Sequence, residues 1–182
     1  MVNIFKPELT NLQQGIFRLL CVKAGTSLNA RAIARFLNVS QPAISKSLPD
    51  LERKGLVKVK KDKESGRFSI ELNRERHEII WLKRTVNLKQ LYESGLIQLF
   101  YDTFPSANII LFGSYSFGED TLNSDIDVAI IGAKEKNIIL KEFEKVLERR
   151  ININYYDSLK KLNKHFLNNL LNGIILKGAI EL

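Results

Sequence analysis

Hydrophobic residues in the first third of the chain recur at helical spacing. Leu9, Leu12, Ile16, Leu19 and Leu20 form one such series, which ends at Ala24-Gly25-Thr26. A second helix is expected from about Asn29 to Leu37, burying Ile33, Phe36 and Leu37. Asn38 is suited to a left-handed turn, and Ser40 to capping a third helix. In that helix Ile44, Leu48 and Leu51 face inward, leaving Gln41, Ser45 and Lys46 outside. This is a helix-turn-helix pattern, and those three polar side chains can meet base edges or phosphates. Pro49 removes a backbone donor inside the third helix, so a kink or early end is expected near Leu48. After Gly55 the period changes to two. Leu56 to Lys60 and Arg67 to Leu72 alternate as the arms of a charged hairpin.

Residues 73–104 read as helical, divided at Ser94-Gly95, and are too apolar for a free linker. The stretch is expected either to pair with its copy in a homodimer or to dock one module on the other. His77 and Trp81 are read as packing residues with no metal role. A buried strand then runs through Ile109 to Phe112 into a Gly113-Ser114 turn, a short helix, a polar loop and a second strand, Asp125 to Ile131. Beyond it, Ile138 to Arg150 is expected as a helix with Ile139, Phe143, Val146 and Leu147 inward. Ile151 to Tyr156 is expected as a strand, and Ser158 to Asn172 as a helix capped by Asp157.

Strand alternation places Asp125 and Asp127 on one face. Adjacent carboxylates repel each other, and a hard divalent cation such as Mg²⁺ relieves that repulsion while sharing phosphate oxygens. Gly113 allows close backbone approach, and Ser114 adds a hydroxyl at a helix start that favours an anion. The stretch reads as a phosphate cradle facing a metal grip.

Charge divides the chain unevenly. Residues 1–72 hold 13 Lys and Arg against 6 Asp and Glu, a net of +7, whereas residues 73–182 hold 15 against 14, a net of +1. A basic module joined to a neutral one points to a polyanion partner for the first. The single Cys21 cannot form an intramolecular disulfide and reads as a small core residue. With no signal-peptide pattern and no apolar run long enough to span a bilayer, a cytoplasmic location away from membranes is expected.

Gly113-Ser114, the segment Tyr115 to Ser124, and Asp125-Ile126-Asp127 together resemble the signature of the nucleotidyltransferase superfamily that includes DNA polymerase beta and the minimal, antitoxin-type enzymes. The resemblance implies Mg²⁺ held by Asp125 and Asp127, which are also the catalytic residues. It implies an NTP, with ATP the expected one, against Gly113, Ser114 and Ser124. Active members carry a third carboxylate on the next strand, where this chain has Asn152; Asp157 is an alternative acid. Close relatives carry an arginine before the second glycine, where this chain has Phe117. The three helices and hairpin resemble MarR-type winged helices, which implies double-stranded DNA as partner and backbone contacts from Lys61, Lys63 and Arg67.

The fold class implied is α+β. A winged helix-turn-helix over 1–72 is followed by a helical linker or dimerisation region over 73–104 and a nucleotidyltransferase-like mixed sheet flanked by helices over 105–182. Three functions fit: a DNA-tethered transferase of nucleoside monophosphate to a hydroxyl; a DNA-binding regulator whose degenerate transferase domain senses nucleotide or mediates assembly; and an antitoxin-like module for a toxin-type protein partner.

Overall fold

A computed structural model describes residues 9–61 and 68–180. The chain forms two compact units, Met1–Ile79 and Ile80–Leu182.

Among the described residues of the first unit, helix α1 (Asn11–Val22) comes first, started by a reciprocal capping box between Thr10 and Gln13. Asn29 caps α2 (Ala30–Leu37), Asn38 ends it at φ 53°, and Ser40 caps α3 (Gln41–Arg53). Strands β1 (Val57–Lys61) and β2 (Phe68–Leu72) form the antiparallel hairpin, with Val57 opposite Leu72, and Leu28 bridges to Ile70 on its other side. Ile16, Leu20, Cys21, Ile33, Ile44, Leu51 and Ile70 are buried. Each such aliphatic side chain contributes about 1.5–3 kcal/mol.

Two expectations for this unit fail. Phe36 is 54% exposed, with the Lys23 ammonium 5.0 Å from its ring centroid, because Ile33 and Ala34 already fill the inward side of α2. The third helix does not end near Leu48 but runs to Arg53. Pro49 lies on its exposed face, so water can satisfy the freed carbonyl of exposed Ser45 while Leu48 and Leu51 hold the helix down.

Helix α4 (His77–Glu93) is followed by α5 (Leu96–Thr103), with Gly95 at φ 80° between them. In the second unit β3 (Asn108–Phe112) runs into the short helix α6 (Gly113–Phe117), then β4 (Ile126–Ile131), α7 (Lys141–Leu147), β5 (Ile151–Tyr156), α8 (Lys164–Leu171) and β6 (Ile174–Lys177). The sheet order is β5-β4-β3-β6; β4 and β5 are parallel and the other pairs antiparallel. Ile109, Leu111, Val128 and Ile130 pack with Leu91, Leu96, Ile97 and Phe100 on one side. On the other side Ile110, Phe112, Ala129 and Ile131 pack with Leu159 and Leu170.

Here too some local expectations give way. Helix α7 starts only at Lys141, and Ile139 is 78% exposed, because Ile138 and Leu140 both reach the core. That is the every-other-residue spacing of extended chain. Val146 is 68% exposed, and Glu148 closes the helix at φ 52°. The expected helix from Ser158 is two pieces. Ser158, not Asp157, caps a 3-10 turn (Leu159–Lys161), and Asn163 then caps α8. Trp81 is 66% and Leu82 44% exposed, and His77 is exposed too, so, against expectation, neither His77 nor Trp81 packs inside its own chain. Lys83 and Asn87 occupy the buried side of α4 instead. Among the described residues no helix is long and apolar enough to cross a membrane.

Candidate nucleotide site

The register of the sheet assembles the acids. Asp127 pairs with Phe112 on one side and Asn152 on the other, so the residue before the Gly113-Ser114 turn and the start of β5 both flank it. Asn152 Nδ2 donates to Asp125 Oδ2 at 3.1 Å and to Asp127 Oδ1 at 3.2 Å, so the two carboxylates converge on one amide nitrogen. Both acids are half-buried and Asn152 is exposed. Gly113 has φ +72°, and a Cβ there would lie 2.6 Å from Asp127 Oδ2; only glycine lets the carboxylate rest on the turn.

Ser114 is half-buried in the first turn of α6. Ser124 braces the loop, its hydroxyl accepting from the Thr121 amide at 3.0 Å. A cleft of about 510 Å³ opens beside Asp125, between the loop residues Leu122 and Ser124 and the side chains of Lys145, Glu148 and Arg150. Lys136 does not serve the cradle: its ammonium donates to the Thr103 carbonyl at 2.7 Å.

The donor set fits a hard divalent cation, because two carboxylates converge from a rigid strand and the third neighbour is an amide with its own hard oxygen. Among the described residues no third His, Cys, Asp or Glu completes a cluster. Asn152 occupies the third position and Asp157 does not join it.

Behind the loop lies a group that sequence reasoning missed. Asp120, fully buried, pairs with Lys83 and with Arg149, whose Nη2 is 3.3 Å from Asp120 Oδ2. Asn87 Nδ2 donates to Asp120 Oδ1 at 2.6 Å and to the Tyr115 carbonyl at 3.0 Å. The Tyr115 phenol is pushed above its ordinary range, chiefly by burial and further by the charge of Asp120. Gly118 presses on α4: a Cβ there would lie 2.4 Å from the Ile80 carbonyl. The signature loop is therefore clamped to α4 by a buried ion cluster and a glycine contact. The available signal was Lys83 and Asn87, one helical turn apart on the same side of α4.

In the first unit Gln41, Ser45 and Lys46 are exposed on α3, and Lys61 is exposed at the end of β1. Lys63 and Arg67 lie outside the described residues.

Comparison with known proteins matches residues 94–177 to the nucleotidyltransferase domain and residues 9–67 to the MarR family. The chain joins a MarR-type winged-helix domain to a nucleotidyltransferase domain. It is 47% identical over 47 residues to the protein adenylyltransferase MntA of Shewanella oneidensis, a match spanning 25% of this chain and 34% of that protein. The chain thus spans about a third of the length of that curated relative. The adhesin competence repressor AdcR of Streptococcus pyogenes is 21% identical, with a TM-score of 0.39 over 57% of this chain and 70% of that one. The S. aureus MepR–DNA complex gives 21% identity and a TM-score of 0.39 over 54% of this chain and 80% of that one. The winged-helix domain carries the exposed α3 face, and the nucleotidyltransferase domain carries the converging acids.

Proposed function

We propose that this protein is a DNA-binding nucleotidyltransferase that moves a nucleoside monophosphate, from ATP in the first instance, to a hydroxyl acceptor. The observation that carries this is the convergence of Asp125 and Asp127 at one point against the Gly113 turn. Asp125 and Asp127 would hold Mg²⁺, which when bound supplies positive charge to the phosphates. Gly113 and Ser114 would hold the phosphate tail, and Ser124 would keep the loop in shape. The acceptor oxygen forms a bond to the α-phosphorus, the bond to the β-phosphate oxygen breaks, and pyrophosphate leaves. Asn152 cannot take the hydroxyl proton, so the proton passes to solvent. The name of the MntA relative, a protein adenylyltransferase, supports an adenylyl group as the one moved and a protein as acceptor.

In this reading residues 1–72 bind double-stranded DNA, 73–104 link or dimerise, and 105–182 carry the chemistry. Gln41, Ser45 and Lys46 would enter a groove, while Lys61, Lys63 and Arg67 would meet the backbone. The protein acts as a homodimer in the cytoplasm. Incubation with labelled ATP, Mg²⁺ and candidate protein acceptors tests the transfer. Label should appear on an acceptor and vanish in Asp127→Ala; equal labelling by the variant overturns the proposal.

A second reading has its own observation. Asn152 in place of an acid leaves the site without a base, which favours a regulator that senses nucleotide or pairs with a toxin-type protein. There ATP with Mg²⁺ raises the melting temperature and alters DNA affinity with no label transferred.

A further inference from the structure

Among the described residues no cation of the protein pairs with the two carboxylates; the group between them is the Asn152 amide, whose single nitrogen serves both at 3.1 and 3.2 Å. An amide oxygen turned toward them would add a third negative dipole, so the NH₂ end must face inward while no metal is bound. The same side chain is exposed and carries a hard oxygen a half-turn away.

We propose that Asn152 is a reversible stand-in for the metal: its NH₂ bridges Asp125 and Asp127 in the metal-free protein and turns over to offer Oδ1 when Mg²⁺ arrives with nucleotide. The inference rests on reading the acid pair as the nucleotide's metal site. Two consequences follow from charge. Two carboxylates and a doubly charged cation sum to zero, whereas three carboxylates would leave the site negative toward a triphosphate. A cation alone must also displace the amide donors, with one charge fewer to hold it than a three-acid site offers. The site therefore takes the metal poorly by itself and well together with a triphosphate, which supplies further oxygens. Asn152 makes metal and nucleotide binding interdependent.

The test uses the full ¹⁵N-labelled chain, with the Asn152 side-chain amide assigned by its disappearance in Asn152→Asp. The amide resonances should stay near their EDTA positions with Mg²⁺ alone and shift when a non-hydrolysable ATP analogue is added with it. In parallel, Mn²⁺ binding without nucleotide, followed by its electron paramagnetic resonance signal, should tighten at least ~10-fold in Asn152→Asp. That variant should also melt roughly 5 °C lower in EDTA, where three carboxylates meet uncompensated. Equal Mn²⁺ affinity in the two proteins, or an unmoved Asn152 amide while metal and analogue bind, overturns this inference and leaves the nucleotide site standing. Failure of both proteins to bind Mn²⁺, with or without the analogue, overturns the nucleotide site and this inference with it.

Discussion

Gly113 and Asp127 meet at the end of the β3–β4 pair, the Asp127 Oδ2 only 2.6 Å from where a Cβ on the glycine would stand. A methyl group at position 113 must push Asp127 away or distort a turn held at φ +72°. Gly113→Ala should cost about 1 kcal/mol or more from the backbone alone. It should also abolish the rise in melting temperature given by ATP with Mg²⁺. Scanning calorimetry with and without nucleotide checks both effects, and a retained nucleotide shift would show that the contact does not matter to the site.

Asp120 pairs with two buried cations, and the cost of removing it is asymmetric. Asp120→Ala takes a buried carboxylate away from two buried cations and should destabilise the second unit by about 3–5 kcal/mol. Lys83→Met removes one cation but leaves Asp120 paired with Arg149, so it should cost clearly less. Urea denaturation of the two variants ranks them; equal losses would contradict the buried-charge account.

Tyr115 predicts behaviour in alkali. Its folded phenol resists ionisation beyond the ordinary value of 10.0, so above that pH the unfolded chain loses a proton that the folded one keeps. The folded state then binds more protons, and stability falls as pH rises past 10.0. Tyr115→Phe should flatten that decline. Melting temperatures across the alkaline range measure it, and unchanged slopes in the variant would assign the decline to other groups.

On α3, Lys46 and Gln41 should separate affinity from sequence reading. Lys46→Ala, if it removes one phosphate contact, should weaken binding to all sequences alike and reduce the salt slope of log K by about 0.9. Gln41→Ala should instead relax preference at one base pair, worth about 1–3 kcal/mol. Fluorescence anisotropy at several salt concentrations checks both, and an interaction insensitive to salt would remove the winged helix as a DNA reader.

The order of elements and the chemistry-bearing turn were legible because each rests on a local rule. Asn29 and Ser40 cap where short polar acceptors belong, Asn38 takes the left-handed turn, and the alternation of Ile126, Val128 and Ile130 fixes which way the acids face. Facing that depends on tertiary partners was not legible. Hydropathy counts residue types, so Trp81 reads as packing although Lys83 and Asn87 hold the inner side of α4 through Asp120. Ile139 and Phe143 have helical spacing, yet Ile138 and Leu140 are the pair that reaches the core, in extended chain ahead of α7. The convergence of Asp125 and Asp127 on Asn152 needed the parallel register of β4 and β5, which only the fold supplies.

The last strand pairs with the first of its sheet: β6 adds to β3, some sixty residues earlier in the chain. During synthesis the helix-turn-helix can fold well before this happens, while β3 waits with one side unpaired until Ile174 to Lys177 leaves the ribosome. The open edge is a template for aggregation in that interval. A nascent chain stalled just short of Ile174 would thus present a finished DNA reader beside an unfinished sheet.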